Sequence, residues 1–502
     1  MKPVNIYNLT RIKDDETMSK LERQMSRRFH PLNVKSWETD GLKALAEHLL
    51  PFFKDASKLT FYYSFIMPKL GKEFDLLRIS DDTVINIELK SGNVSDDVVK
   101  MQLMHNKYYL STLGKSTHYY TYLSIPDRLV RLSRTCKIID ASFEELALLI
   151  SAQEPCYSDD IEELFKEDKF LISPLTDPFR FLRGEYFLTS QQRDIKSKIL
   201  KRLKQHNNDD KEPAIMGFTG FPGTGKTILL YDLAMSLSRY ERVALLHFGG
   251  YIKELEQLNT HLKRVDFLYF EDNAENIDLL GDYAYLLVDE AHMASTAAIK
   301  NILELGKKLN SPVIFSYDLE DVISPFERDE YSGDLIEKIP GFTGFRLTNR
   351  IRVNSELSTF IRSLLSCSGK NTRKDYPSVR ISYANDNSEL NTLLSSYESE
   401  NYVYIRDSSL LESYGDHLDK GHVIDSSLAT CKEFDKVMMI MDETFYYDHD
   451  GYLRADHNNN RLETAQVRNI YHGLSRAKNS IAVIIKENKP VLDTVLSILQ
   501  GR

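Results

Sequence analysis

Residues 214–238 read AIMGFTGFPGTGKTILLYDLAMSLS. An apolar strand runs into a glycine-rich loop, and the loop opens a helix. Gly220, four further residues, then Gly225, Lys226 and Thr227 give the spacing at which backbone N–H groups turn inward around phosphate oxygens. Gly223 and Thr224 sit inside that turn, the helix N-terminus adds positive potential, Lys226 reaches toward the β and γ phosphates and Thr227 binds magnesium. The stretch therefore predicts an α/β nucleotide-binding unit with ATP and Mg²⁺ as its cofactors.

Working outward, the short apolar runs VALLHF (243–248), YAYLLVDE (283–290), PVIFSYD (312–318), NYVYIRD (401–407), KVMMIMD (436–442) and SIAVIIK (480–486) alternate with helical patterns. Strands buried on both faces and separated by helices are what parallel, doubly wound sheets require. YLLVDEAH delivers Asp289 and Glu290 at the C-terminal end of its strand, where ligands bind in open α/β sheets. Asp289 is placed to hold magnesium, and Glu290 to orient and deprotonate the attacking water beside the γ phosphate.

The series of motifs resembles the core of superfamily 1 helicases, and most of all the short bacterial, Schlafen-type helicase domains, over residues 185–490. The resemblance implies two RecA-like subdomains and an ATP-driven motor on nucleic acid. FLTSQQRDI resembles the adenine-reading motif and puts Gln192 on the base. VALLHFGGYIKEL resembles the motif that touches single-stranded nucleic acid. LTNRIR resembles a motif whose arginine meets the γ phosphate, here Arg352; TCKEFDKVMMI one built around a glutamate, here Glu433; and NIYHGLSRAKNSIAV the final motif, with Arg476 as arginine finger. Two arginines from a separate lobe contact the γ phosphate only when the cleft closes, so closure couples to hydrolysis. The chain departs from the family in SYDLED, where Asp318 matches but Asp321 stands at the position of the phosphate-sensing glutamine, and at Cys431, which replaces a glycine. About sixty residues separate Lys226 from Asp289, too few for large inserted subdomains, so translocation or remodelling is expected rather than long-range unwinding.

Toward the N-terminus, residues 71–92 read GKEFDLLRISDDTVINIELKSG. Glu88 and Lys90, two apart on a strand, share a face, and Asp75 on the preceding strand can join them. Two carboxylates then bind Mg²⁺ or Mn²⁺, while Lys90 positions water and stabilises charge for phosphodiester hydrolysis. The spacing, within an αβββαβ order of elements, resembles the PD-(D/E)xK nucleases, particularly RecB-like and restriction-type members. In that family Glu47 on the preceding helix and Gln102 on the following one fall at accessory positions. The expected organisation is a nuclease-like domain over 1–180, then RecA-like subdomains over 181–345 and 346–502.

Bulk properties fit this. The chain has 502 residues, 42% hydrophobic and 27% charged, with no run near the roughly 18 apolar residues of a membrane helix. Its N-terminus lacks the apolar core of a secretory signal, so the expected compartment is the cytoplasm, with no membrane partner. The four cysteines form no CxxC pair, which argues against a disulfide framework, zinc ribbon or iron–sulfur cluster. A net charge of −10 leaves nucleic-acid binding to a locally basic groove. DNA is the favoured partner and RNA the other, with a protein partner or a second copy of the chain also compatible. Such fusions resemble bacterial restriction, repair and anti-phage defence proteins. Two rivals are an ATP-gated nucleic-acid-binding module whose N-terminal domain does not cut, and an accessory subunit that binds a protein.

Overall fold

The computed structural model describes the chain apart from residues 29–31, 33–35, 68–69, 71, 93, 154–160, 166–171, 206–211, 250–251, 271–281, 329–331, 349–353, 368–374, 408–413, 427, 430–431, 457–465 and 502. It divides into two compact units, Met1–Phe170 and Leu171–Arg502. Among the described residues no helix is long and apolar enough to cross a membrane.

The first unit is built on a seven-stranded sheet whose strands follow one another in chain order: Val4–Asn5, Thr60–Ile66, Glu73–Ile79, Thr83–Lys90, Ser116–Leu123, Arg128–Leu132 and Ile138–Asp140. All neighbours are antiparallel except Thr83–Lys90 and Ser116–Leu123, which run parallel and are joined by the crossover helix Asp96–Leu110. The expected αβββαβ series is present, with further strands at both edges. Helix Ser36–Leu49 lays Leu42, Leu45, Ala46 and Leu49 on the face of the sheet that carries Ile85, Ile87 and Leu89. Strand alternation therefore sends Asn86, Glu88 and Lys90 to the opposite face. Pro51, with no N–H to donate, keeps this helix from running on and leaves a 3₁₀ turn over Leu50–Phe52.

The second unit holds two parallel sheets. One has six strands in the order Val265–Phe270, Val243–Phe248, Tyr285–Asp289, Val313–Asp318, Ile215–Gly220, Thr343–Leu347. The other has five, in the order Val379–Ala384, Ala477–Lys486, Phe434–Met441, Val403–Arg406, Val423–Asp425. Every residue of Val243–Phe248 and of Val313–Asp318 is buried, as expected where helices cover both faces. The helix Lys226–Leu237 buries Ile228, Leu229, Leu230, Leu233 and Ala234, so its N-terminus is fixed against the sheet.

Candidate active sites

The strand Ile215–Gly220 ends in the glycine-rich loop, and the loop's shape follows from its glycines. Gly223 and Gly225 both take φ of 76°, a left-handed conformation that glycine adopts without steric cost. A Cβ on Gly220 would come within 2.8 Å of the Leu347 carbonyl and of Thr224 Oγ1. Gly225 is the N-cap of helix Lys226–Leu237 and no side chain caps it, which leaves the first N–H groups facing the loop.

Lys226 Nζ donates to the carbonyls of Gly220 (3.0 Å) and Phe221 (3.1 Å) and forms an ion pair with Asp318. Thr227, partly buried, is the next residue of the helix. Asp289 is 1% exposed, and neither of its carboxylate oxygens accepts a hydrogen bond; His247 Nδ1 stands 3.6 Å from Oδ2. Such a carboxylate suits a divalent cation. Glu290 follows at φ 53°, in the left-handed region that non-glycine residues seldom enter. Burial pushes the Glu290 carboxyl up, but His292, Arg476 and Lys226 outweigh both burial and Asp318 and hold it below the usual range. Asp318 is held down in the same way: burial opposes its ionisation, and Lys226, His292, His472 and Arg476 overcome it. Arg476, which precedes the strand Ala477–Lys486 of the second sheet, thus acts on both carboxylates of the first.

Other assignments fall differently. Gln192 accepts the Thr189 N–H at 2.8 Å, while its amide donates to the carbonyls of Thr224 (3.0 Å) and Gly225 (3.1 Å). Thr189 Oγ1 in turn accepts the Gln192 N–H, so Thr-Ser-Gln-Gln is a reciprocal helix cap. The structure thus ties Gln192, which the sequence reading put on the base, to the backbone of the glycine-rich loop. That cap was readable in the sequence as Thr-x-x-Gln before a helix. Glu433 stands 3.9 Å from Lys478, partly exposed. Arg352 and Cys431 lie outside the described residues. Asp321 is half exposed and 3.7 Å from Arg346, whereas its neighbour Glu320 is completely buried. Glu320, Arg468, His472 and His292 form a cluster that sequence reasoning did not single out.

In the first unit the antiparallel register pairs Leu76 with Ile87, and continuing it sets Asp75 opposite Glu88. Asp75 Oδ2 accepts the Leu89 N–H at 2.8 Å. Glu88, 0% exposed, accepts from Asn106 Nδ2 (2.7 Å), Asn86 Nδ2 (3.3 Å) and Gln102 Nε2. Burial, and then the facing Glu88 charge, push the Asp75 carboxyl up to about 8 against the pull of the Leu89 N–H and Lys90. Lys72 is also close: burial lowers its ammonium while Glu88 and Asp75 support it. Gln102 therefore joins the site, and Glu47 does not, being exposed and 3.3 Å from Arg11. Glu38 is the acid from that helix that acts on Asp75. Residues 38, 42, 45 and 49 form one stripe at helical spacing, and Glu47, nine residues beyond Glu38, lies half a turn away from it.

No family model and no curated protein sequence matches the chain. Among solved structures, a Pif1 helicase from Bacteroides in complex with ADP-AlF3 and ssDNA is similar over 59% of this chain and 92% of its own, at 14% identity and a TM-score of 0.31. AMPPCP-bound DnaA from Aquifex aeolicus matches over 35% of this chain and 54% of its own, at 20% identity and a TM-score of 0.22. Domain III of the Thermotoga maritima replication initiation protein DnaA matches over 36% and 70%, at 15% identity and a TM-score of 0.21. Likenesses of this size carry no argument, so function rests on the residues themselves.

Proposed function

We propose that the second unit is a nucleic-acid-stimulated ATPase of the superfamily 1 helicase type. The observation that carries this reading is convergence: Asp289, Glu290 and Asp318 stand at the strand ends of one parallel sheet, Lys226 at the start of the helix beside them is paired with Asp318, and Arg476, which precedes a strand of the other sheet, acts on Glu290 and Asp318. Lys226 exchanges its Asp318 partner for phosphate oxygens when a triphosphate enters. Thr227 and the unsatisfied carboxylate of Asp289 are the residues that would hold Mg²⁺, which neutralises phosphate charge. Glu290, held ionised, takes the proton of the attacking water. Arg476 places its cation where charge develops in the transition state. Single-stranded DNA is expected to stimulate hydrolysis more than RNA does. Lys226→Ala and Glu290→Gln should abolish turnover, with Glu290→Gln still binding ATP, and Arg476→Ala should lower kcat by roughly 10³-fold at nearly constant KM. Turnover that survives both of the first two changes would defeat the assignment.

For the first unit the reading is a divalent-metal-dependent nuclease, with Asp75 and Glu88 as ligands and Lys90 as the positioning cation. Two facing carboxyl groups, one of them driven toward neutrality by burial and then by the other, suit a cation that relieves their repulsion. The motor would then present DNA to the cutting site, in the manner of a bacterial restriction, repair or anti-phage defence enzyme.

A further inference from the structure

The end of strand Val313–Asp318 is gripped from across the unit by one helical face. Arg468, Tyr471 and His472 stand at i, i+3 and i+4 of helix Gln466–Leu474, so their side chains leave it on the same side. Arg468 donates to Glu320 Oε2 through Nε (3.2 Å) and Nη2 (3.0 Å). His472 Nε2 donates to Glu320 Oε1 at 2.8 Å, and the Tyr471 hydroxyl donates to the Leu319 carbonyl at 2.8 Å. Glu320 is 0% exposed, so removing either partner leaves a buried charge short of compensation.

The contacts continue from His472 toward the base. Its ring stacks on His292, with centroids 4.9 Å apart and planes at 29°. The Asp318 backbone N–H donates to His292 Nδ1 at 3.2 Å. A backbone amide can only donate, so Nδ1 accepts and the ring hydrogen sits on Nε2. That Nε2 stands 3.5 Å from Glu290 Oε2. Ligand atoms of His292, Asp318 and His472 lie within 4.8 Å of one another, but this tautomer makes His292 a donor there and not a metal ligand. Beyond Leu474 the chain passes directly to Ser475 and Arg476.

We propose that Glu320, clamped by Arg468 and His472, is a positioning residue that sets the register between the base Glu290 and the arginine Arg476. The clamp ties the helix leading into Arg476 to the strand end that carries Asp318, and through the His472–His292 stack to Glu290. It supplies a connection that Asp321, turned to solvent, does not make. This inference rests on the ATPase reading above.

The test measures steady-state hydrolysis by the full chain, with and without single-stranded DNA, for wild type, Glu320→Ala, Glu320→Gln, Arg468→Ala and the Glu320→Ala/Arg468→Ala double variant. Circular dichroism melting checks that each is folded. Displacement of the reacting groups by about 1 Å costs on the order of a hundredfold, so Glu320→Ala should lose about that in kcat while KM for ATP stays within about twofold. Glu320→Gln, whose amide oxygen still accepts from Arg468, should recover part of the loss even where the alanine variant fails to fold. The double variant should be no slower than the worse single one, because both break one device. A kcat that is unchanged, a KM that rises alone, or losses that multiply in the double variant would overturn the clamp. A second readout does not use activity: ¹⁵N-histidine spectra, assigned with His292→Gln, should show His292 as the Nε2–H tautomer, and an Nδ1–H tautomer would overturn it as well. Wild type that hydrolyses no ATP overturns the underlying reading and the clamp with it. That result is distinct, since wild type and variants would then be equally inactive.

Discussion

Each unit buries a group of carboxylates, and the two groups are balanced in opposite ways. In the first, Asp75 faces Glu88, and Asp75 is pushed up to about 8 by burial and by that neighbour, with Lys90 too weak to reverse it. In the second, Glu290, Asp318 and Glu320 are buried too, yet all three are held below their ordinary range. For Glu320, burial opposes ionisation, but Arg468 and His472 overcome it and bring the carboxyl down to about 2. Burial alone therefore does not decide the sign of the shift. What decides it is whether the chain supplies the compensating cation. The second unit supplies its own, and takes several of them from the other sheet, which makes carboxylate chemistry depend on how the two sheets meet. The first leaves its facing carboxyl groups short of compensating positive charge.

The sharpest break of this comparison is at the first site. Alanine at Asp75, Glu88 or Lys90 should abolish Mg²⁺- or Mn²⁺-dependent cleavage of labelled DNA and leave stimulated ATP hydrolysis intact, because the two clusters belong to separate compact units. Persistent cleavage in all three variants would make the pair structural. A smaller effect is thermal. In metal-free buffer Asp75→Asn removes the like-charge repulsion while keeping an oxygen for the Leu89 N–H, so the first unit's melting transition should rise by about 2–4 °C. Mn²⁺ should raise that transition in wild type and not in the variant, and an equal Mn²⁺ response in both would exclude Asp75 as a ligand.

The smallest effect is the pH dependence, whose sign differs between the two units. Asp75 rises from 3.8 to about 8 on folding, so its contribution is complete below about 3.8 and fades as pH climbs toward 8. Glu320 falls from 4.5 to about 2, so its contribution is complete above about 4.5 and is lost as pH drops through about 2. Calorimetry of the metal-free chain from pH 5 to 8 should show the first transition moving down with no matching loss from Glu320 in the second. A first transition that moves up over that interval would contradict the assignment of Asp75.

What could be read in the sequence follows the range of the contacts involved. The loop from Gly220 to Thr227 and the Asp75–Glu88 pair depend on residues within about fifteen positions of one another, and both took shape as expected. The core strands were legible because burial on both faces makes them continuous apolar runs. The edge strands Thr343–Leu347, Val379–Ala384 and Val423–Asp425 were missed, since their partly exposed faces admit arginine, serine and aspartate and break the pattern. Glu38 was overlooked in favour of Glu47, although the stripe it shares with Leu42, Leu45 and Leu49 was present in the residue spacing. Glu320 was beyond reach: its partners Arg468 and His472 lie 148 and 152 residues away, and one buried glutamate in SYDLED carries no local mark of them.

The backbone at Glu290 has a further consequence. A glutamate at φ 53° is held in a conformation worth about 1–3 kcal/mol of strain, and glycine would relax it. Glycine would also delete the carboxylate. With Glu290 as the proposed base, heat resistance and turnover therefore make opposite demands on this position, and breeding the protein for heat resistance alone would tend to trade that carboxylate for a more comfortable turn.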